Sequence, residues 1–151
     1  MDIQVVVADG KSDDGTREHL EIWAQREDRL LIVDNPEKTT PAGLNIAISQ
    51  AIGETIIRMD VHTTYAADYV KKCVENLHNT GASCVGGAWR AATSPGRAGA
   101  IAAAFGSRFG SGGAASRRVD YTGPVDTVYL GTWRRSDLLK LGGFDETLLR
   151  T

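Results

Sequence analysis

The sequence predicts an α/β domain with a mainly parallel sheet flanked by helices. Short, β-branched apolar runs alternate with segments of helical period, and clusters of turn-forming residues separate them. The length of 151 residues suits a single domain, which at this size buries roughly two thirds of its unfolded surface.

Residues 3–8 read Ile-Gln-Val-Val-Val-Ala, nearly continuous in apolar character, as a strand buried on both faces requires. They run into Asp9-Gly10-Lys11-Ser12-Asp13-Asp14-Gly15-Thr16, a dense turn cluster. A helix follows, with Leu20, Trp23 and Ala24 at helical spacing. A second strand covers 30–33 and stops at Asn35-Pro36. Thr39 or Thr40 caps the next helix, Pro41 sits in its first turn, and Leu44, Ala47, Ile48 and Ala51 form its apolar stripe. Residues 54–59 form a third strand, 68–77 a helix and 82–87 a fourth strand. Beyond Trp89 the pattern loosens: 98–105 predicts a short helix, 106–116 a loop, 125–133 a strand and 135–141 a helix, ending in the turn Gly142-Gly143-Phe144.

Composition excludes several classes. Lys+Arg 17 against Asp+Glu 19 gives a net charge of −2, with no bulk drive toward nucleic acid. Two cysteines, Cys73 and Cys84, are too few for a disulfide framework and point to a reducing compartment. No apolar run is long enough to span a bilayer, and the N-terminus lacks the features of a secretory signal. The expectation is a cytoplasmic protein.

Ligands of open α/β sheets bind beyond the C-terminal ends of strands. Asp9 and Asp60 both fall there, each in a polar cluster. In extended backbone, residues two apart point the same way, so Asp60 and His62 of Asp60-Val61-His62 would face one ion. Mixed oxygen and nitrogen ligation suits Mn²⁺ better than Mg²⁺. Read alone, His62 is a loop histidine and each Asp a turn residue.

Four blocks in order carry a resemblance to family 2 glycosyltransferases of the GT-A fold. Val-Val-Val-Ala-Asp-Gly-Lys-Ser-Asp-Asp-Gly-Thr at 5–16 resembles the family's nucleotide-binding segment. Asn35-Pro36 with Gly43-Leu44-Asn45 and Ala47 resembles its next block. Residues 53–62 resemble its G-E-x-I-x-x-x-D-x-D stretch, and Gly142-Gly143-Phe144-Asp145-Glu146 its acceptor-side segment. The variant Asp60-Val61-His62-Thr63-x-Tyr65 and Val125-Asp126-Thr127-Val128 are similar to the succinoglycan-type polysaccharide-synthesis subgroup.

The resemblance implies inverting transfer of a sugar from a UDP-sugar to a saccharide acceptor, lipid-linked in polysaccharide synthesis. It implies that Asp9 accepts a hydrogen bond from uracil. Asp60 would contact the ribose and lie near a divalent cation. His62 stands where the family's motif ends in Asp, so it would meet the metal and diphosphate. The family's usual first strand, central in its sheet, is not found, and its general base would fall beyond Thr151. An internal fragment or a shortened product is expected, with sheet edges that invite a homo-oligomer unless the strands at 3–8 and 54–59 close up directly. Asp145 and Glu146 match the acceptor-side block and not the base. In the full-length protein the resemblance places the domain at the inner face of a membrane. The alternative is a non-catalytic remnant that keeps the fold as a binding module. A nucleotidyltransferase would need a basic glycine-rich loop near the N-terminus.

Other candidates have simpler readings. His19 and His78 read as surface residues, and the cysteines as small buried hydrophobes. Ser12 lacks a nucleophile-elbow pattern, and Gly10 and Gly15 do not form a dinucleotide fingerprint. Arg117-Arg118 and Arg134-Arg135 read as solvated basic pairs or as phosphate contacts. Trp89 and Trp133 read as core packing or as sugar-stacking rings.

Overall fold

The computed structural model describes residues 2–91, 96–107, 110 and 113–148. The chain is α/β and divides into two compact units, Met1–Ile56 with Arg134–Thr151, and Ile57–Trp133.

The first unit opens on a parallel βαβ arrangement. β1 (Val5–Asp9) pairs in parallel with β2 (Leu30–Asp34), from Val5 opposite Leu30 to Asp9 opposite Asp34. Their connection is α1 (Thr16–Ala24), as a parallel pair needs a long crossover. None of the residues of α1 is fully buried; Ile22 and Trp23 lie about half in solvent. α2 (Thr40–Gln50) starts where expected, with Thr39 extended at its N-cap and Pro41 in the first turn. It buries Pro41, Ala42, Gly43 and Ile48. Gly43 is required: a Cβ there would come within 2.7 Å of the Asn35 Nδ2. Gln4 ties the chain before β1 to the end of α2, accepting from the Ile52 N–H at 3.0 Å.

At the C-terminal end of this unit, α5 (Arg135–Leu141) buries Leu138 and stops at Gly142, φ 85°. Gly143 follows at φ 80°, where a Cβ would strike the Asn45 Oδ1.

In the second unit, α3 (Tyr69–Thr80) buries Cys73 and Leu77 and ends at Gly81 in the left-handed region. α4 (Arg97–Gly106) buries Ala102, and a 3₁₀ turn covers Ala115–Arg117. The expected loop at 106–116 lies partly outside the described residues. β3 (Thr55–Ile57), β4 (Cys84–Val85) and β5 (Thr132–Arg134) form a three-stranded sheet in the order β3-β5-β4. β4 and β5 run antiparallel, Cys84 opposite Trp133.

Two expectations are corrected. The sheet is not one mainly parallel array: β1-β2 is parallel, but β4-β5 is antiparallel and belongs to a separate sheet. The strand predicted over 125–133 is only Thr132–Arg134. Leu130 and Gly131 have φ of 60° and 48°, a conformation that no strand continues through, so the apolar run before them is irregular. β1 and β3 do not pair with each other, so the strands at 3–8 and 54–59 have not closed up. No helix among the described residues is long and apolar enough to cross a membrane.

Candidate functional site

Asp9 lies in the first unit; Asp60 and His62 lie in the second. Asp9 is the last residue of β1 and only 4% exposed. A buried carboxylate must be hydrogen-bonded or it costs several kcal/mol, roughly. Here the Ser12 hydroxyl donates to Oδ1 at 2.6 Å, and the Ser12 N–H reaches both oxygens at 3.3 Å. Arg17 Nη1 lies 3.5 Å from Oδ2. The Ser12 hydroxyl, then its N–H and Arg17, hold the carboxyl below its ordinary value against the opposing effect of burial.

Arg17 is a hub that sequence reading missed. Its Nη1 donates to Asp34 Oδ1 at 2.6 Å and its Nε to Glu21 Oε1 at 2.9 Å, besides the Asp9 contact. The ends of β1 and β2 are thereby bridged by one guanidinium. Its pKa is pushed up by Glu21 first and Asp34 next, so the guanidinium holds its proton more tightly. The visible signal was the i,i+4 spacing of Arg17 and Glu21.

Asp60 lies beyond the end of β3, and the chain turns directly after it at Val61 and His62. The Thr63 N–H donates to the Asp60 carbonyl at 3.3 Å, closing a turn over Val61 and His62. The alternation that would aim Asp60 and His62 the same way therefore does not apply. Tyr65 staples the turn: its hydroxyl accepts from the Asp60 N–H at 2.7 Å, and its ring lies 5.1 Å from that of Tyr69. The Asp60 carboxylate is partly exposed, with Arg58 Nε 3.5 Å away. His62 is exposed, and Val61 at its side is 97% exposed. Among the described residues no group of three or more His, Cys, Asp or Glu side chains could hold a metal ion. Asp60 and His62 are at most a partial donor set.

Asn45 stands in the sequence only within the Gly43-Leu44-Asn45 block, with no role of its own; the structure supplies one. Its Nδ2 donates to the Phe144 carbonyl at 2.8 Å and to Glu146 Oε1 at 2.7 Å. Its Oδ1 accepts from the Phe144 N–H at 2.8 Å. The side-chain amide thus pairs both ways with the backbone of a segment 99 residues away. Asp145 accepts from the Thr147 N–H and hydroxyl, which hold its carboxyl low.

Trp89 lies in irregular chain beyond β4, with Arg117 stacked 5.4 Å above its ring and Tyr129 6.1 Å away. Trp133 sits within β5 and is half-buried. Arg118 pairs with Asp120 at 3.0 Å, and Arg134 lies 3.9 Å from Asp137. The Arg135 Nε is buried without a hydrogen-bond partner. His19 contacts its own helix start, Nδ1 to the Gly15 carbonyl at 2.6 Å. Cys73 is buried and Cys84 half-buried, and burial pushes the Cys84 thiol up.

Residues 1–140 match the family described as glycosyl transferase family 2. The chain belongs to glycosyl transferase family 2. It is 33% identical, over 149 residues, to the succinoglycan biosynthesis protein ExoA of Rhizobium meliloti (strain 1021). That alignment covers 97% of this chain and 45% of the relative, so the chain spans less than half the length of the curated relative it matches. No solved structure matches it. The family match reaches from the Asp9 cluster through the Asp60 turn and stops within α5, just before Gly142.

Proposed function

We infer that this chain is the nucleotide-sugar-binding part, with a GT-A-type fold, of an inverting glycosyltransferase of polysaccharide synthesis. The donor is a UDP-sugar and the acceptor a saccharide, lipid-linked. The observation that carries this reading is the family match over residues 1–140, within which Asp9 and Asp60 both fall.

Asp9 reads the base. Its Oδ1 is engaged by the short Ser12 hydroxyl bond, whereas Oδ2 holds only contacts of 3.3 and 3.5 Å. Oδ2 is the oxygen left to accept the uracil N3–H, and it is already ionised because Ser12 and Arg17 keep it so. With Asp9 this buried, the Ser12–Gly15 turn must shift to admit the ring. Asp60 takes the ribose hydroxyls, its backbone fixed by Tyr65.

Asp60 and His62 would supply an oxygen and a nitrogen to a divalent cation, Mn²⁺ before Mg²⁺. With two donors in one short turn, the set fits a cation only when diphosphate oxygens and water complete it. When bound, such an ion neutralises charge on the departing diphosphate. Arg58, its Nε 3.5 Å from Asp60 Oδ1, orients that carboxylate for the task.

Calorimetric titration with UDP, with and without Mn²⁺, tests the reading on the wild-type chain and on Asp60→Ala. Mn²⁺-dependent binding that disappears in the variant is the expected result. A folded chain that ignores UDP in both conditions would refute it.

A further inference from the structure

Arg17 meets three carboxylates at unequal distances. Its Nη1 lies 2.6 Å from Asp34 Oδ1 but 3.5 Å from Asp9 Oδ2, and its Nε lies 2.9 Å from Glu21 Oε1. A charge-assisted N–H···O bond is ordinarily about 2.7–2.9 Å long. Asp34 and Glu21 therefore take the full bonds, and Asp9 feels the charge of the guanidinium without a full bond to it. Parallel pairing makes this possible, because it sets Asp34 directly opposite Asp9 at the ends of β2 and β1. Among the described residues Arg17 is the cation within ion-pair distance of Asp9. The other groups nearby do not replace it. Ser12 is neutral, Asp14 in the same turn accepts from the Thr16 N–H, and Lys11 and Asp13 are exposed. The Lys38 stem lies 3.8 Å from where a Gly10 Cβ would stand. On the α2 side, Gly43 faces Ala8 of β1, and α2 carries no ionisable side chain from Thr40 to Gln50.

We propose that Arg17, tethered by Asp34 and Glu21, is the positioning residue that keeps Asp9 a pure acceptor, so that the site takes uracil and refuses cytosine. The proposal rests on the reading of Asp9 as the residue that meets the base, and deepens it by naming what sets the base preference. An ionised carboxylate only accepts hydrogen bonds, whereas a protonated one also donates. Uracil presents an N3–H donor; cytosine presents a bare N3 acceptor at the same position. A carboxylate with the Arg17 charge beside it accepts from the first and repels the second. A carboxyl that takes up a proton more readily would donate to cytosine N3, and the selection would weaken. The tether matters as much as the charge. Closing on Asp9, the guanidinium would occupy Oδ2, the oxygen outside the short Ser12 bond, and the base would lose its acceptor. The full bonds to Asp34 and Glu21 hold it back.

The test is calorimetry of the whole chain with UDP and with CDP, in Mn²⁺, at neutral and mildly acidic pH. The ratio of the two affinities cancels the protonation of the diphosphate, which both ligands share. Wild type is expected to prefer UDP by about a hundredfold at neutral pH, the difference that a hydrogen bond to a charged group makes. The preference should narrow as pH falls, because CDP binding takes up a proton. Arg17→Gln should shrink it by about tenfold at each pH, chiefly through a gain in CDP binding. A variant that merely loosened the fold would weaken both nucleotides and leave the ratio alone. Arg17→Lys, which keeps the charge, should restore most of the ratio. Asp34→Asn acts the other way: it releases the guanidinium onto Asp9, so UDP should weaken about tenfold with the preference kept. A ratio unmoved by Arg17→Gln overturns the proposal, as does UDP binding indifferent to Asp34→Asn. Asp9→Asn separates the proposal from the reading beneath it. Its amide can donate to cytosine N3, so the preference should reverse. Wild-type selection by Asp9→Asn would remove Asp9 as the base reader; selection that depends on Asp9 but ignores Arg17→Gln removes the role of Arg17 alone.

Discussion

Replacing Asn45 by alanine removes three hydrogen bonds at once, and the cost follows from their environments. The two bonds to the Phe144 backbone, both 2.8 Å and part-buried, are neutral; such bonds contribute about 0.5–1.5 kcal/mol each. The 2.7 Å bond to Glu146 is exposed and adds little. Phe144 is only half-buried, so water moderates the penalty of the lost bonds. The sum is about 2 kcal/mol, which in a chain of this size lowers the unfolding midpoint by about 4–8 °C. Asn45→Asp should be worse than Asn45→Ala. It substitutes an acceptor for the Nδ2 donor and faces a carbonyl and the Glu146 carboxylate with a second negative charge. The introduced carboxyl is thereby raised in the folded state, so this variant's deficit relative to wild type shrinks as pH falls through that raised value. Urea and thermal unfolding of the three proteins at neutral and mildly acidic pH measure both effects. If Asn45→Asp matches wild type, or Asn45→Ala costs under about 0.5 kcal/mol, the two-way amide clamp does not hold the Gly142-Gly143-Phe144 turn.

Other expectations follow from the same geometry. Asp9 has its carboxyl lowered chiefly by the Ser12 hydroxyl, so it contributes stability above the ordinary carboxylate range that is lost as pH falls through its lowered value. Ser12→Ala should therefore flatten the fall of the urea midpoint on acidification; an unchanged profile would show that the bond is not coupled to folding. Gly43→Ala should destabilise the chain by about 1–3 kcal/mol despite alanine's better helix propensity, because its Cβ meets Asn35 at 2.7 Å. A stabilised variant in chemical unfolding would contradict that packing. Tyr65→Phe loses the bond from the Asp60 N–H and should weaken Mn²⁺-dependent UDP binding by about tenfold; calorimetry showing wild-type affinity would mean that the turn is held by other contacts.

Much of this was legible in one dimension because it depends on local chemistry. The β-branched run before Asp9 makes β1, the Pro41 signal starts α2, and Gly81 and Gly142 stop α3 and α5, each through conformational preferences that act within a few residues. The ordered blocks around Asp9, Asp60 and Gly142 also predicted the family, which the match over 1–140 bears out. Tertiary structure decided the rest, where a long-range partner or a change of backbone hand overrides local pattern. The strand expected over 125–133 fails at Leu130 and Gly131, whose positive φ no apolar pattern announces. Asp60 and His62 look alternate in sequence, yet the Thr63 bond and Tyr65 curl them into a turn. Asn45 is one polar residue beside an apolar stripe until the chain brings Phe144 to it from 99 residues away. Arg17 likewise gains its role only when parallel pairing sets Asp9 opposite Asp34, since a guanidinium can bridge two strand ends only after the register has brought them together.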